Sequence, residues 1–185
     1  QSRAVLQAGR DAGLGLRVHG NQLGPGPGVK LAVELGAASV DHCNFLDDED
    51  IDLLGASATV ATLLPACDLS TRQPFPPARA LLDAGSTVAL ASNCNPGTSY
   101  TTSMAFCVTT AVLQMRMTVE EAVWSATMGG AIALRRHEGE LPVGALVPGS
   151  RADLQVLDAP SVTHLAYRPG MQLTHSVWQA GQRIV

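Results

Sequence analysis

The sequence has no basic run. Its 12 Lys and Arg are scattered among 16 Asp and Glu, giving a net charge of −4. Phosphate backbones are held by clustered cations, so this pattern argues against nucleic acid as a partner. No apolar stretch reaches the roughly 20 residues that a helix needs to cross a bilayer, so no membrane partner is expected. No secretory leader is visible, and a cytoplasmic location is expected. Cysteine is sparse. Cys43, Cys67, Cys94 and Cys107 never fall in a C-x-x-C spacing, which argues against a zinc ribbon or a redox pair. Small buried thiols in a reducing compartment are expected instead. Aromatic residues make up 4% and charged residues 15% of the chain. A sequence this poor in both, and rich in small apolar residues, suits a mostly buried α/β chain.

What is present is an alternation. The 185 residues are enough for one core or slightly more. The chain starts at Gln1, and a piece of a longer protein is expected, with a processed terminus as the alternative. A helix is expected over 2–12, then a strand over Leu14–Val18 that delivers His19. A helix over Val29–Leu35 closes on Gly36, and a strand over Ala38–Val40 delivers Asp41, His42 and Cys43. An acid-started helix over Asp47–Leu54 precedes a strand over Thr59–Leu64, broken by Pro65. Pro76 and Pro77 open a helix that Gly85 closes, before a strand over Thr87–Ser92. A long helix over Thr101–Met115 follows, with Tyr100, Met104 and Phe106 read as core. Thr118 and Glu121 form a capping-box pattern for a helix to about Arg135. Four strand–helix units in succession predict a parallel sheet. The character changes after Arg136, with a strand over Ala152–Leu157 and a hairpin-like pair around Ala180-Gly181. The boundary falls near 140–147.

The strands end on polar residues. The first delivers His19 and then Gln22; the second Asp41 and His42; the third Pro65, Cys67 and Asp68; the fourth Asn93, Asn95, Gly97 and Thr98. In α/β barrels the chemistry sits at the C-terminal ends of the strands. Two imidazoles converging with oxygen donors have the composition of a metal site. Arg72 is weighed as a partner for a substrate carboxylate against an ordinary exposed loop residue.

Several stretches together resemble the imidazolonepropionases, a group within the metal-dependent amidohydrolase superfamily. They are VHGNQL (18–23), SVDHC (39–43), TVATLLPAC (59–67), ARALLDAGSTVALASNCNPGTS (78–99), MTVEEAVWSAT (117–127), PGSRADLQVLDAP (148–160) and HLAYRPG (164–170). The resemblance implies the second half of a (β/α)8 barrel over 1–145 and the C-terminal strands of a small β-sandwich over 146–185. It implies hydrolysis of the cyclic amide C–N bond of 4-imidazolone-5-propanoate to N-formimidoyl-L-glutamate, in histidine degradation. It also implies one divalent metal ion, Zn²⁺ or Fe²⁺/Fe³⁺, a small-molecule substrate, and a homodimer as the candidate assembly of the full-length protein.

By that resemblance His19 matches a metal ligand, and Asn93 stands where the family carries an aspartate ligand. Gln22 stands at a position that often carries Glu and touches both substrate and water. His42 matches the histidine that hydrogen-bonds the water or the developing oxyanion. Asn95, Gly97 and Thr98, with Gln22, match substrate-holding positions. The family's H-x-H motif belongs to its first strand, and no H-x-H occurs in this sequence. The amides at Gln22 and Asn93 cannot ionise. Three readings therefore stay open: a simple Asp-to-Asn change, a catalytically impaired homologue that only binds ligand, or another residue in the role, with Asp41 and Asp68 nearby. A different cyclic amidohydrolase or deaminase on the same barrel is the enzymatic alternative. Alone, the 185 residues are expected to be inactive and poorly stable, because half a barrel leaves strand edges unpaired.

Overall fold

A computed structural model describes residues 1–185. Helix α1 (Ser2–Asp11) leads into strand β1 (Arg17–Gly20). Then come α2 (Gly28–Glu34), β2 (Ser39–His42), α3 (Asp48–Gly55) and β3 (Val60–Leu63). Helices α4 (Pro65–Thr71) and α5 (Ala78–Asp83) precede β4 (Val88–Leu90). Strands β1 to β4 form one sheet in sequence order, and every pair is parallel. The alternation read from the sequence is therefore the topology found. No helix is long and apolar enough to cross a membrane.

The register separates two faces of the sheet. Val18, Val40, Ala61 and Val88 align in one row. Val40, Ala61 and Val88 join Val29, Leu54 and Leu81 of the helices in the main apolar core. All six are buried to 0% exposure, so this core is dry and closed. On the opposite face His19, Asp41, Thr62 and Ala89 align. Two residues earlier on the same face, Arg17 aligns with Ser39 and Ser39 with Val60. A sheet with one apolar and one polar row presents the polar row to whatever chemistry the fold performs.

Helix α6 (Met104–Met115) is followed by α7 (Val119–Trp124), a π-helical turn (Ser125–Gly129) and α8 (Gly130–Ala133). The capping box is formed: Thr118 N–H donates to Glu121 Oε2 at 2.8 Å, and Glu121 N–H donates to Thr118 Oγ1 at 3.2 Å. The long helix expected to Arg135 is thus interrupted. Gly129 sits so close to β4 that an added Cβ would lie 2.2 Å from the Val88 carbonyl oxygen. The widened turn brings the two backbones together there. Arg17 fixes α8 against the polar face by donating to the Ala133 carbonyl at 2.5 Å.

The remainder is a three-stranded antiparallel sheet of β5 (Leu154–Leu157), β6 (Thr174–Gln179) and β7 (Gln182–Arg183). A short helix α9 (His164–Tyr167) lies between β5 and β6. The expected hairpin is present, with Ala180 and Gly181 both at positive φ.

Some expectations need correction. Strand β1 begins at Arg17, not Leu14, because Gly13 turns the chain at φ 79° and leaves Leu14 exposed. His19 consequently lies within the strand. Pro65 does not merely end a strand: it opens α4 from the first helical position, where its missing N–H costs nothing. Helix α9 was not anticipated. Cys43, Cys67 and Cys107 are buried as expected, whereas Cys94 is exposed because it rides on a polar turn. Tyr100 is 86% exposed and outside the core, since the helix starts only at Met104.

Candidate active site

Backbone conformation at the strand ends places the site. Side chains alternate along a strand, so His42 should share the face of Val40 and enter the helix-side core. Instead His42 (φ 83°) and Cys43 (φ 59°) are consecutive left-handed residues. That kink swings the His42 ring toward β1. Its centroid lies 5.0 Å from that of His19, with the planes tilted by 41°. His19 is exposed, whereas His42 is buried. Non-glycine residues at positive φ are uncommon, and here two fall in succession at one strand end.

Electrostatics keep this ring neutral. Burial pushes the His42 imidazole down to about 4, with repulsion from His19 adding to it and Asp41 opposing it. Asp41 accepts from Ser39 Oγ at 2.8 Å. Behind His42 lie Cys67 and Asp68 of α4. A ring nitrogen of His42, the Cys67 sulfur and an Asp68 carboxylate oxygen are all within 4.8 Å of one another, and all three residues are buried. Burial raises the Asp68 carboxyl to about 6, offset by a hydrogen bond from Asn44. Asn44 Nδ2 donates to Asp68 Oδ1 at 2.7 Å and to the Pro74 carbonyl at 2.8 Å.

Gln22 follows a fixed corner. Asn21 (φ 53°) donates from Nδ2 to the Phe45 carbonyl and to Asp50 Oδ2, both at 3.0 Å. Phe45 N–H returns a bond to the Asn21 carbonyl at 3.0 Å. The loops after β1 and β2 are thereby tied together. The Gln22 side chain is half-buried and makes no hydrogen bond within the chain.

The turn after β4 is organised by Asn95. Its Oδ1 accepts from the backbone N–H of Gly97 and Thr98, both at 2.9 Å. Its Nδ2 donates to the Asn93 carbonyl at 2.7 Å and to Thr98 Oγ1 at 2.9 Å. The Asn95 amide is thus spent on the turn. Ser70 Oγ donates to the Thr98 carbonyl and links the turn to α4. Asn93 is left-handed (φ 51°), and its half-buried side chain is without an internal partner.

The structure brings His19, His42, Cys67 and Asp68 into one cluster, and Asn95, Gly97 and Thr98 into another. Asn93 belongs to the second group, at the β4 end of a sheet whose opposite edge is β1. Arg72 ends α4 in a left-handed, exposed conformation. Asn21 and Asn44 escaped the sequence reading. Each sits two residues beyond a histidine, which is the only local signal for them.

The model of the amidohydrolase family matches residues 4–183, nearly the whole chain. The chain belongs to the amidohydrolase family. As an amidohydrolase it is similar to the imidazolonepropionase of Saccharopolyspora erythraea, with 74% identity over 100% of this chain and 47% of that protein. It is also similar to the imidazolonepropionase of an Arthrobacter species, at 66% identity over 99% of this chain and 50% of that protein. This amidohydrolase chain therefore spans about half the length of the curated relatives it matches. Its fold is like that of a zinc-bound adenosine deaminase from Xanthomonas campestris, with a TM-score of 0.80 at 21% identity over 98% of this chain and 47% of that one.

Proposed function

We propose that this chain is the C-terminal half of an imidazolonepropionase-type amidohydrolase that hydrolyses the cyclic amide of 4-imidazolone-5-propanoate in the cytoplasm. The observation that carries this reading is the His19–His42 pair, 5.0 Å apart at adjacent parallel strand ends, in a chain 74% identical to an imidazolonepropionase. On this reading residues 1–145 are the second half of a (β/α)8 barrel, and 146–185 belong to a small β-sandwich. The four-stranded parallel sheet and the separate antiparallel sheet support that division.

The donor chemistry fits a divalent ion such as Zn²⁺ or iron. His19 has an exposed imidazole without a hydrogen-bond partner in the chain, and neutral imidazole is a good ligand for such ions. His19 would hold the ion, with the Asn93 amide oxygen as a weaker neutral donor. When bound, the ion supplies Lewis-acid polarisation of the amide carbonyl and makes water more acidic near neutral pH. His42, kept neutral by burial, accepts a hydrogen bond from the attacking water and orients it. Gln22 contributes an amide for substrate orientation and, being unable to ionise, does not act as a general acid or base. Gly97 and Thr98 present the rim of the Asn95-shaped turn to the substrate, while Asn95 sets that rim's form.

The test uses the full-length protein. Loss of 4-imidazolone-5-propanoate and appearance of N-formimidoyl-L-glutamate are followed alongside metal analysis. Turnover with about one ion per chain is expected. Absence of both turnover and metal overturns the reading. A second reading, a ligand-binding homologue without turnover, is favoured by the two amides at Gln22 and Asn93. Bound metal and substrate without product would establish it.

A further inference from the structure

The enclosed nitrogen of His42 is Nδ1, and it has no hydrogen-bond partner. One carboxylate oxygen of Asp68, Oδ2, is equally enclosed and equally unpartnered. Both residues are at most 2% exposed, so water does not freely compensate either atom. A buried polar atom left unpaired costs about 1–3 kcal/mol. These two orphans are chemically complementary, because one can carry a proton and the other can only accept one. A ring nitrogen of His42 and a carboxylate oxygen of Asp68 lie within 4.8 Å of each other, close enough for a small side-chain rotation to join them. The other oxygen of Asp68 is held by Asn44, which is itself tied to the Pro74 carbonyl. One oxygen of the carboxylate is therefore anchored and the other is left free. Pro65 and α4 fix the backbone that carries it, and Asp68 is buried within the first turns of that helix.

We propose that Asp68 is a positioning residue for His42, accepting the imidazole Nδ1–H and thereby fixing the tautomer whose Nε2 lone pair faces the reacting centre. The proposal rests on the role given to His42 above and adds the group that orients it. A histidine oriented by a carboxylate on its far nitrogen keeps its lone pair aimed and does not flip between tautomers. Asn44 completes the chain of support: Pro74 carbonyl, Asn44, Asp68, His42. Cys67 is the rival acceptor within the cluster, and a thiol sulfur accepts only weakly.

The deciding experiment is nitrogen NMR of the His42 imidazole in full-length, metal-loaded protein labelled on histidine, paired with steady-state kinetics. The wild type is expected to show protonated Nδ1. In Asp68→Asn the new amide keeps an oxygen for Asn44 and turns an N–H toward Nδ1, so the ring proton moves to Nε2. With it kcat is expected to fall about 100-fold or more while KM changes little. Asp68→Glu restores the acceptor and part of kcat. Cys67→Ala leaves the tautomer unchanged. An Asp68→Asn spectrum identical to wild type overturns the proposal, as does a tautomer switch in Cys67→Ala instead. Should the wild type not turn over the imidazolone while Asp68→Asn still switches the tautomer, the pairing is upheld and the substrate assignment falls.

Discussion

Gly129 and Gly130 are neighbours in sequence, and both are helical, with φ −55° and −61°. Alanine suits that backbone at either position. Their surroundings differ sharply. A Cβ on Gly130 would meet only the Ser125 carbonyl, at 4.0 Å, which is ordinary contact. A Cβ on Gly129 would lie 2.2 Å from the Val88 carbonyl oxygen and 3.3 Å from Ala89 Cα. Relief to an ordinary 3.4 Å contact requires a displacement of about 1.2 Å (3.4 − 2.2). The atom in the way is strand backbone and cannot rotate aside. Overpacking of this kind costs about 1–3 kcal/mol, and the rigidity of β4 places it at the upper end. Against it stands the gain of about 0.4–1 kcal/mol from replacing a helical glycine. Gly130→Ala keeps that gain without the clash. The two single variants should therefore differ by about 2–3 kcal/mol, or roughly 2–4 °C in Tm for a full-length protein about twice the length of this chain. Thermal and denaturant unfolding of the full-length protein measures both. Because β4 leads into the Asn93 turn, Gly129→Ala should also reduce turnover, whereas Gly130→Ala should spare it. Melting points of the two variants within about 0.5 °C of each other would refute the reasoning, for then the π-helical turn does not press on β4.

Three further outcomes follow from the same geometry. Asn93→Asp in the full-length protein puts an anion where a neutral amide stands, and metal retention during dialysis should rise about tenfold or more, with turnover rising alongside. Unchanged retention would remove Asn93 from the ligand set. Arg79 forks onto Glu121 at 2.9 and 3.0 Å, and this bond, reinforced by Thr118 N–H, holds the Glu121 carboxyl below its ordinary 4.5. A lowered folded value means that the contribution is full above pH 4.5 and lost as pH falls through the lower folded value, so a wild-type advantage over Glu121→Gln at neutral pH should shrink progressively as the pH is taken below 4.5. Thr118→Ala removes the acceptor for the Glu121 N–H and should destabilise by about 1 kcal/mol in denaturant melts, with kcat unaffected.

The alternation of strands and helices was legible because each strand is a short apolar run bounded by turn residues. Its edges were not. Leu14 and Leu16 look alike in sequence, yet only Leu16 is buried; the turn at Gly13 decides between them, and the distinction is tertiary. Pro65 was read for what it forbids, while its fixed φ also starts helices, and so α4 was missed. That miss hid the backing of His42, because α4 carries Cys67 and Asp68 beneath the ring. The proximity of the His19 and His42 rings was foreseeable from their places on successive strands. The left-handed pair His42–Cys43 that creates it was not, since even the enrichment of His at positive φ leaves such a conformation rare and Cys has no such tendency. Asn21 and Asn44 drew no reading from the sequence, and only the folded chain shows the atoms they hold.

The turn after β4 closes on itself. Asn95 satisfies it from within, the Asn95–Ser99 backbone bridge pins its ends, and Ser99 Oγ ties it to the Ser92 carbonyl at 2.6 Å. A segment that has its shape before any ligand arrives loses little conformational freedom when one does. It acts as a mould and not as a lid. Should this turn line the substrate site as proposed, selectivity there is steric and set before a ligand arrives.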